Sequence, residues 1–260
     1  MTAGEDYLQQ CKGLHESVAA QLPAIRRAAD WFADSIGRGG LVHLFGSGHS
    51  RIFVEEMWPR YGSFPGFNPI VELSLTFHNM VSGANGQRQA MFLENVPGLA
   101  GRILRNFESR EIDCAFVASS SGCNIVPIEM AEGFKERGIK VVGLFSREHS
   151  EASSSKREDG RKLQDFADLM LDTGAPVGDA MVKITGVDTP VAPGSTVGGC
   201  MIVNAIKAEV AQLLVDAGHP LEVLTAGAVV GNERATELFE AAYDRHARNM
   251  AALNATLGES

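Results

Sequence analysis

The sequence predicts a three-layer α/β sandwich, a mostly parallel sheet with helices on both faces and long helices at the amino- and carboxyl-terminal ends. Three observations lead there. Short apolar runs at 41–45, 113–118 and 140–145 alternate with stretches of helical apolar spacing, as in βαβ units whose strands are covered on both faces. Two of these runs end in turns of small residues that open a helix. Hydrophobic residues make up 45% of the 260 residues and charged residues 21%, ordinary proportions for one large core.

The elements follow in order. Tyr7, Leu8, Cys11, Leu14, Val18, Leu22, Ile25, Ala29, Phe32 and Ile36 recur at helical spacing, with Pro23 dividing the stretch and Gly37, Gly39 and Gly40 ending it. Residues 1–40 thus form an N-terminal helical segment joined to the body at 41–260, within one structural domain. The apolar face of that segment exceeds what one sheet covers; core packing and a contact with a second copy account for it equally well. A strand at 41–45 leads through a glycine turn to a helix at 49–58, stopped by Pro59. A second strand is expected at 69–73, and residues 75–98 carry no clear pattern. A helix at 99–107, a strand at 113–118, a helix at 125–137 and a strand at 140–145 come next. The polar stretch 146–162 reads as a mobile loop, followed by a strand at 166–172 and helices at 196–217 and 233–253.

Composition excludes several functions. A net charge of −9 without a dense Lys/Arg stripe argues against nucleic acid. No apolar run reaches the length of a membrane span, and the polar, acidic first residues are unlike a secretory signal, so no membrane and a cytoplasmic location are expected. Cys11, Cys114, Cys123 and Cys200 are scattered, which predicts reduced thiols. Cys114 reads as packing within a strand and Cys123 as accessible beside a turn. No grouping has metal-ligand spacing, so neither a metal nor an organic cofactor is expected.

Chemistry concentrates in two turns, Gly46-Ser47-Gly48-His49-Ser50 and Ser119-Ser120-Ser121-Gly122-Cys123-Asn124. In a parallel sheet such turns lie beyond the carboxyl ends of strands, where helix N–H groups and short hydroxyl side chains meet an anion. The dinucleotide pattern fails because Arg51 stands where a third glycine is required, and no Gly-Lys-Ser/Thr of a Walker motif exists. Two such turns in one sheet predict a cradle for a phosphorylated small molecule.

These turns resemble those of the sugar isomerase (SIS) domain, a phosphosugar-binding α/β fold. Segments 174–180 and 195–199 and the tail 226–233 resemble the branch near the N-acetylmuramic acid 6-phosphate etherases and an N-acetylglucosamine-6-phosphate dehydratase. The resemblance implies that Ser119, Ser120, Ser121 and Asn124 surround the phosphate and that Ser47, His49 and Ser50 face the sugar. It implies a catalytic glutamate on the helix after the first turn, where Glu55 is preferred over Glu56. It also implies a histidine from a carboxyl-terminal helix, here His246, reaching a neighbouring subunit's site, with His49 as the alternative acid. His43 reads as structural, His15 and His219 as surface or helix-end residues, and His78 falls in the unassigned stretch. Segment 174–195 is expected to lie over the pocket, with Ser195-Thr196 capping the next helix and Ser195 facing the ligand. The implied activity is a lyase acting on an N-acetylhexosamine 6-phosphate by C2 proton abstraction and loss of the 3-substituent. An aldose–ketose isomerase or a phosphosugar sensor are the alternatives. The implied partners are a phosphorylated amino sugar and further copies of the chain, as a homodimer or homotetramer.

Overall fold

Two helices come first in the computed structural model, which describes residues 1–76 and 86–255. Helix α1 (Ala3–Ala20) opens with a capping box, in which Thr2 Oγ1 accepts from the Glu5 N–H and the Glu5 carboxylate accepts from the Thr2 N–H. Helix α2 (Leu22–Gly37) carries Pro23 in its first turn, where a missing N–H costs no helix bond, so the proline divides the stretch without distorting it.

Strands β1 (Val42–Gly46), β2 (Phe67–Ile70), β3 (Cys114–Ala118), β4 (Lys140–Phe145) and β5 (Leu169–Asp172) are all parallel, in the order β2-β1-β3-β4-β5. The chain builds outward from β1 to β2, then crosses back to place β3 on the other side of β1. The strand order therefore reverses between β1 and β3, and a crevice opens there at the carboxyl ends of the two strands. β2 lies at 67–70, shifted toward the amino terminus from the expected 69–73. It is an edge strand, a position that tolerates Pro69.

Period-two alternation sends the strand side chains to two core layers. Val42, Leu44, Phe116 and Leu144 pack with α2, α3 (Arg51–Met57) and α9 (Ser195–Asp216). Phe45, Val117, Val141 and Phe145 pack with α6 (Leu99–Leu104) and α7 (Ile125–Glu136). Helix α4 (Leu73–Thr76) begins at the end of the expected strand and runs into the unpatterned stretch, which also contains α5 (Gly86–Leu93); His78 lies outside the described residues. The helices α8 (Arg147–Ala152), α10 (Gly227–Val230) and α11 (Asn232–Asn254) complete the chain.

The polar stretch 146–162 is not the mobile loop its composition suggests. It contains α8, and several of its cations are tied down: Arg157 and Arg161 both engage Glu132 and Asp159, and both stack on Phe166. Lys162 donates to the carbonyls of Ser150 and Ser153. Cys123 is enclosed beneath this segment and is only 2% exposed, so the expectation of an accessible thiol fails. Cys114 packs as expected, and burial pushes its thiol up to about 12.

Helix α9 corrects a second reading, because over Ser195–Asp216 it is long and apolar enough to cross a membrane, with mean hydropathy 1.3. Its apolarity has a packing cause: Gly198, Ile202, Val203, Ile206 and Val210 are buried against the sheet and the helices around it. Two glycines permit that approach. A Cβ on Gly198 would fall 1.9 Å from the Thr173 carbonyl oxygen, and one on Gly199 2.2 Å from Phe53 Cε1. The Gly198→Ala substitution is therefore expected to cost at least about 1–3 kcal/mol, read as a lower denaturation midpoint.

His43 is structural, as its strand position predicts. Its Nε2 lies 3.1 Å from Asp113 Oδ2 and its Nδ1 2.9 Å from Asn68 Nδ2, with both His43 and Asp113 fully enclosed. The apolar residues of α1 have a partner within the chain: Leu14 packs on Met181 and Val182.

Candidate active site

The first turn begins where β1 ends. A Cβ on Gly46 would lie 2.4 Å from the Ser50 carbonyl oxygen, so the chain folds back more closely than any side chain permits. Gly48, with φ +55°, then starts a single 3-10 turn leading into α3. The second turn is shaped by its own serines: Ser119 Oγ accepts from the Gly122 N–H at 3.1 Å, and Ser121 Oγ from the Cys123 N–H at 3.2 Å. Gly122 adopts φ +68°. Asn124 is the N-cap of α7, yet its side chain makes no capping bond, which leaves the amide directed elsewhere.

Between the turns lies a cavity of about 390 Å³, within the range of small-molecule sites. Its wall brings together Ser47, His49, Ser50, Ser119, Ser120, Asn124 and Ser195 of the residues singled out in the sequence. Ser47 and Ser50 are buried, whereas His49 and Ser120 sit at the exposed rim. Ser121 is absent from the lining; its hydroxyl oxygen supports the turn.

Glu55 is not brought to this cavity. Its side chain is 61% exposed, 3.9 Å from Arg51, and faces a separate hollow beside Ile52, Pro59 and Tyr61. Glu56 is also directed away, bonded to Arg60 and to Asn204 Nδ2. His246 lies on α11 with its ring 5.4 Å from that of Trp58, and burial lowers its pKa.

The carboxylate between the two turns is instead Glu94, just after α5. One oxygen accepts from Asn124 Nδ2 at 2.7 Å and the other from Ser47 Oγ at 2.9 Å, so a single carboxylate bridges the two turns. Its backbone carbonyl accepts from the Val126 N–H at 2.9 Å, which fixes the residue to the start of α7. Burial pushes the Glu94 carboxyl above its ordinary range, and the Ser47 hydrogen bond only partly opposes this. Glu94 was missed because it lies within the unpatterned stretch 75–98. The available signal was an acid directly after an amphipathic helix and just before Pro97-Gly98.

Segment 174–195 does border the cavity, through Asp179 and Pro193. The capping of α9 differs from expectation. Ser195 is the first helical residue, and Asp179 supplies the cap: Oδ1 accepts from the N–H groups of Gly194 and Ser195, and Oδ2 from Ser195 Oγ. Asp179 reaches this position through a left-handed backbone, φ +52°. Tyr7 Oη and Gln10 Nε2 of α1 hold the same segment, donating to the carbonyls of Pro193 and Met181. Among the described residues no cluster of His, Cys, Asp and Glu is arranged to hold a metal ion.

Comparison with known proteins agrees with this architecture. The SIS domain family profile matches residues 6–146. The chain is 34% identical over 207 residues to UPF0309 protein GK1441 of Geobacillus kaustophilus, covering 80% of each. It is 33% identical over 222 residues to UPF0309 protein lin2794 of Listeria innocua, covering 85% of this chain and 86% of the relative. In fold it is similar to a phosphoheptose isomerase from Francisella tularensis, with TM-score 0.53, 15% identity, and coverage of 82% of this chain and 100% of that one. The phosphoheptose isomerase GmhA from Neisseria gonorrhoeae gives TM-score 0.50 at 14% identity, covering 79% and 95%. With a five-stranded parallel sheet, two glycine- and serine-rich turns at its switch point and a matching family profile, the chain belongs to the SIS domain family of phosphosugar-binding folds.

Proposed function

We propose that the protein is an enzyme that removes the C2 proton of an open-chain sugar 6-phosphate, with Glu94 as the proton acceptor. The observation that carries this reading is the bridging position of Glu94, one carboxylate held by donors from both turns and facing a cavity of sugar size. The serine turn and the start of α7 hold the phosphate, with Ser119, Ser120 and the Asn124 amide as donors. Ser47, Ser50 and Ser195 line the remaining wall and orient the sugar hydroxyls. Clamping the phosphate fixes the far end of the chain of carbons and brings C2 within reach of Glu94. A carboxylate whose pKa is raised by burial is a stronger base than one in water, which suits abstraction beside a carbonyl.

Once C2 is deprotonated, two outcomes exist. Loss of the 3-substituent gives a lyase; reprotonation at C1 gives an isomerase. We place the lyase first, acting on an N-acetylhexosamine 6-phosphate, because His49 at the rim of the same cavity supplies a second proton-transfer group for the departing 3-oxygen. Glu55 and His246 enter this scheme only through the cavity of a second copy, in a homodimer or homotetramer.

The test is incubation with N-acetylglucosamine 6-phosphate in deuterated water, followed by mass spectrometry. The expected product is lighter than the substrate by one water. Deuterium at C2 of recovered substrate without loss of mass shows proton abstraction without elimination, and a ketose formed from glucose 6-phosphate, which has a C2 hydroxyl, assigns the isomerase. Saturable binding with neither change would refute catalysis and leave a sensor.

A further inference from the structure

The charges around the cavity narrow the substrate beyond "phosphosugar". Among the described residues that line it, the acidic side chains are Glu94 and Asp179, and no Lys or Arg joins them. Residues 77–85 contain no Lys or Arg either. Arg51, on the helix that leaves the first turn, is paired with Glu55 away from the lining. Asp179 is anchored by three hydrogen bonds at the start of α9, and Glu94 by two between the turns, so both carboxylates stay in the wall.

A phosphate is compatible with this arrangement because it meets neutral donors: serine hydroxyls, the Asn124 amide and the start of α7. Among the described lining residues a second anionic group elsewhere on the sugar meets no Lys or Arg, and the imidazole there, His49, sits at the exposed rim. Such a group would face Glu94 or Asp179 at short range in a partly desolvated space, where like charges repel far more strongly than in water.

We propose that the cavity selects sugars whose phosphate is their only anionic group, and rejects phosphosugars bearing a carboxylate. The inference rests on the phosphosugar reading above. Within that reading it decides what departs from C3: a hydroxyl leaving as water, rather than a carboxylate-bearing ether substituent.

Isothermal titration at pH 7.5 with two ligand pairs tests this. The pairs are N-acetylglucosamine 6-phosphate against N-acetylmuramic acid 6-phosphate, and glucose 6-phosphate against 6-phosphogluconate. In each pair the member without a carboxylate is expected to bind at least about 30-fold more tightly, the size of effect that unpaired like charges produce. Asp179→Asn and Glu94→Gln, followed by binding alone, are each expected to narrow that gap at least about fivefold. Should Asp179→Asn fail to fold, Glu94→Gln still decides. Equal or tighter binding of the acidic members overturns the proposal, as does a gap that neither variant changes, since the discrimination would then be steric. If no member of either pair binds, the phosphosugar reading itself falls, and this inference with it.

Discussion

The Glu94→Gln variant is expected to fold, to bind the phosphosugar and to lose about 10²–10⁴ in turnover, the usual contribution of a positioned general base. Glutamine keeps the shape of the side chain and one oxygen acceptor, so its melting temperature should stay within a few degrees of the parent. Steady-state kinetics with a mass-spectrometric readout separates kcat from KM. A fall in kcat with KM little changed identifies a group acting in the chemical step, whereas a rise in KM alone would make Glu94 a binding residue. Glu55→Gln is the matched control, because Glu55 is exposed on α3 and absent from the cavity of its own chain. Retained turnover in that variant, with loss in Glu94→Gln, assigns the base. Loss in both would bring Glu55 back, through a neighbouring copy. The pH profile has a defined sign: burial raises the pKa of Glu94, so the acid limb of kcat should lie above the ordinary carboxylate range and activity should fall as pH drops through it.

Asp113→Ala is the substitution expected to cost most stability. Asp113 accepts from His43 Nε2, from the Leu41 N–H at 2.8 Å and from the Arg110 N–H at 2.7 Å. Removing it leaves the buried His43 ring and the Leu41 N–H without their acceptor beneath the sheet, at about 1–3 kcal/mol for each unsatisfied group. A total of about 2–5 kcal/mol is expected in urea denaturation. Burial alone would raise the Asp113 carboxyl, but the bonds from His43 and from the Arg110 and Leu41 N–H groups outweigh it and hold the pKa below its ordinary value. A depressed pKa means stability that is present at neutral pH and lost as pH falls from the ordinary carboxylate range through the lower folded-state value. The parent should therefore lose stability with acid more steeply than Asp113→Ala, and the two denaturation midpoints should converge at low pH.

The sheet was legible because buried parallel strands leave continuous apolar runs, and the turns because glycine and serine clusters follow those runs. The order of the strands, which puts the two turns side by side between β1 and β3, came from the sheet pairing and not from the sequence. Other features left no comparable trace. Glu94 depends on how α5 lies against the start of α7, and the packing of one short helix leaves no periodic signal. The direction of Glu55 turned on a fraction of a helical turn, which spacing from the glycine turn does not resolve. The cap of α9 was assigned to Ser195 from local chemistry, but the acceptor came from Asp179, 16 residues earlier in the chain. Segment 146–162 read as mobile because its residues are polar; its order comes from ion pairs to Glu132 on α7, invisible in the local composition.

The hydrogen bond from Tyr7 to the Pro193 carbonyl joins residues 186 positions apart. All five strands are complete by Asp172, so the sheet and both turns exist in the chain before the segment bearing Asp179 and Pro193 does. During synthesis, α1 emerges before the sheet and its partner segment after it. The cavity wall is thus the product of a long-range closure that follows the local βαβ units, the kind of contact that slows folding. A nascent chain stopped at the end of β5 would have both turns but neither Asp179 nor α9 to complete the wall beside them.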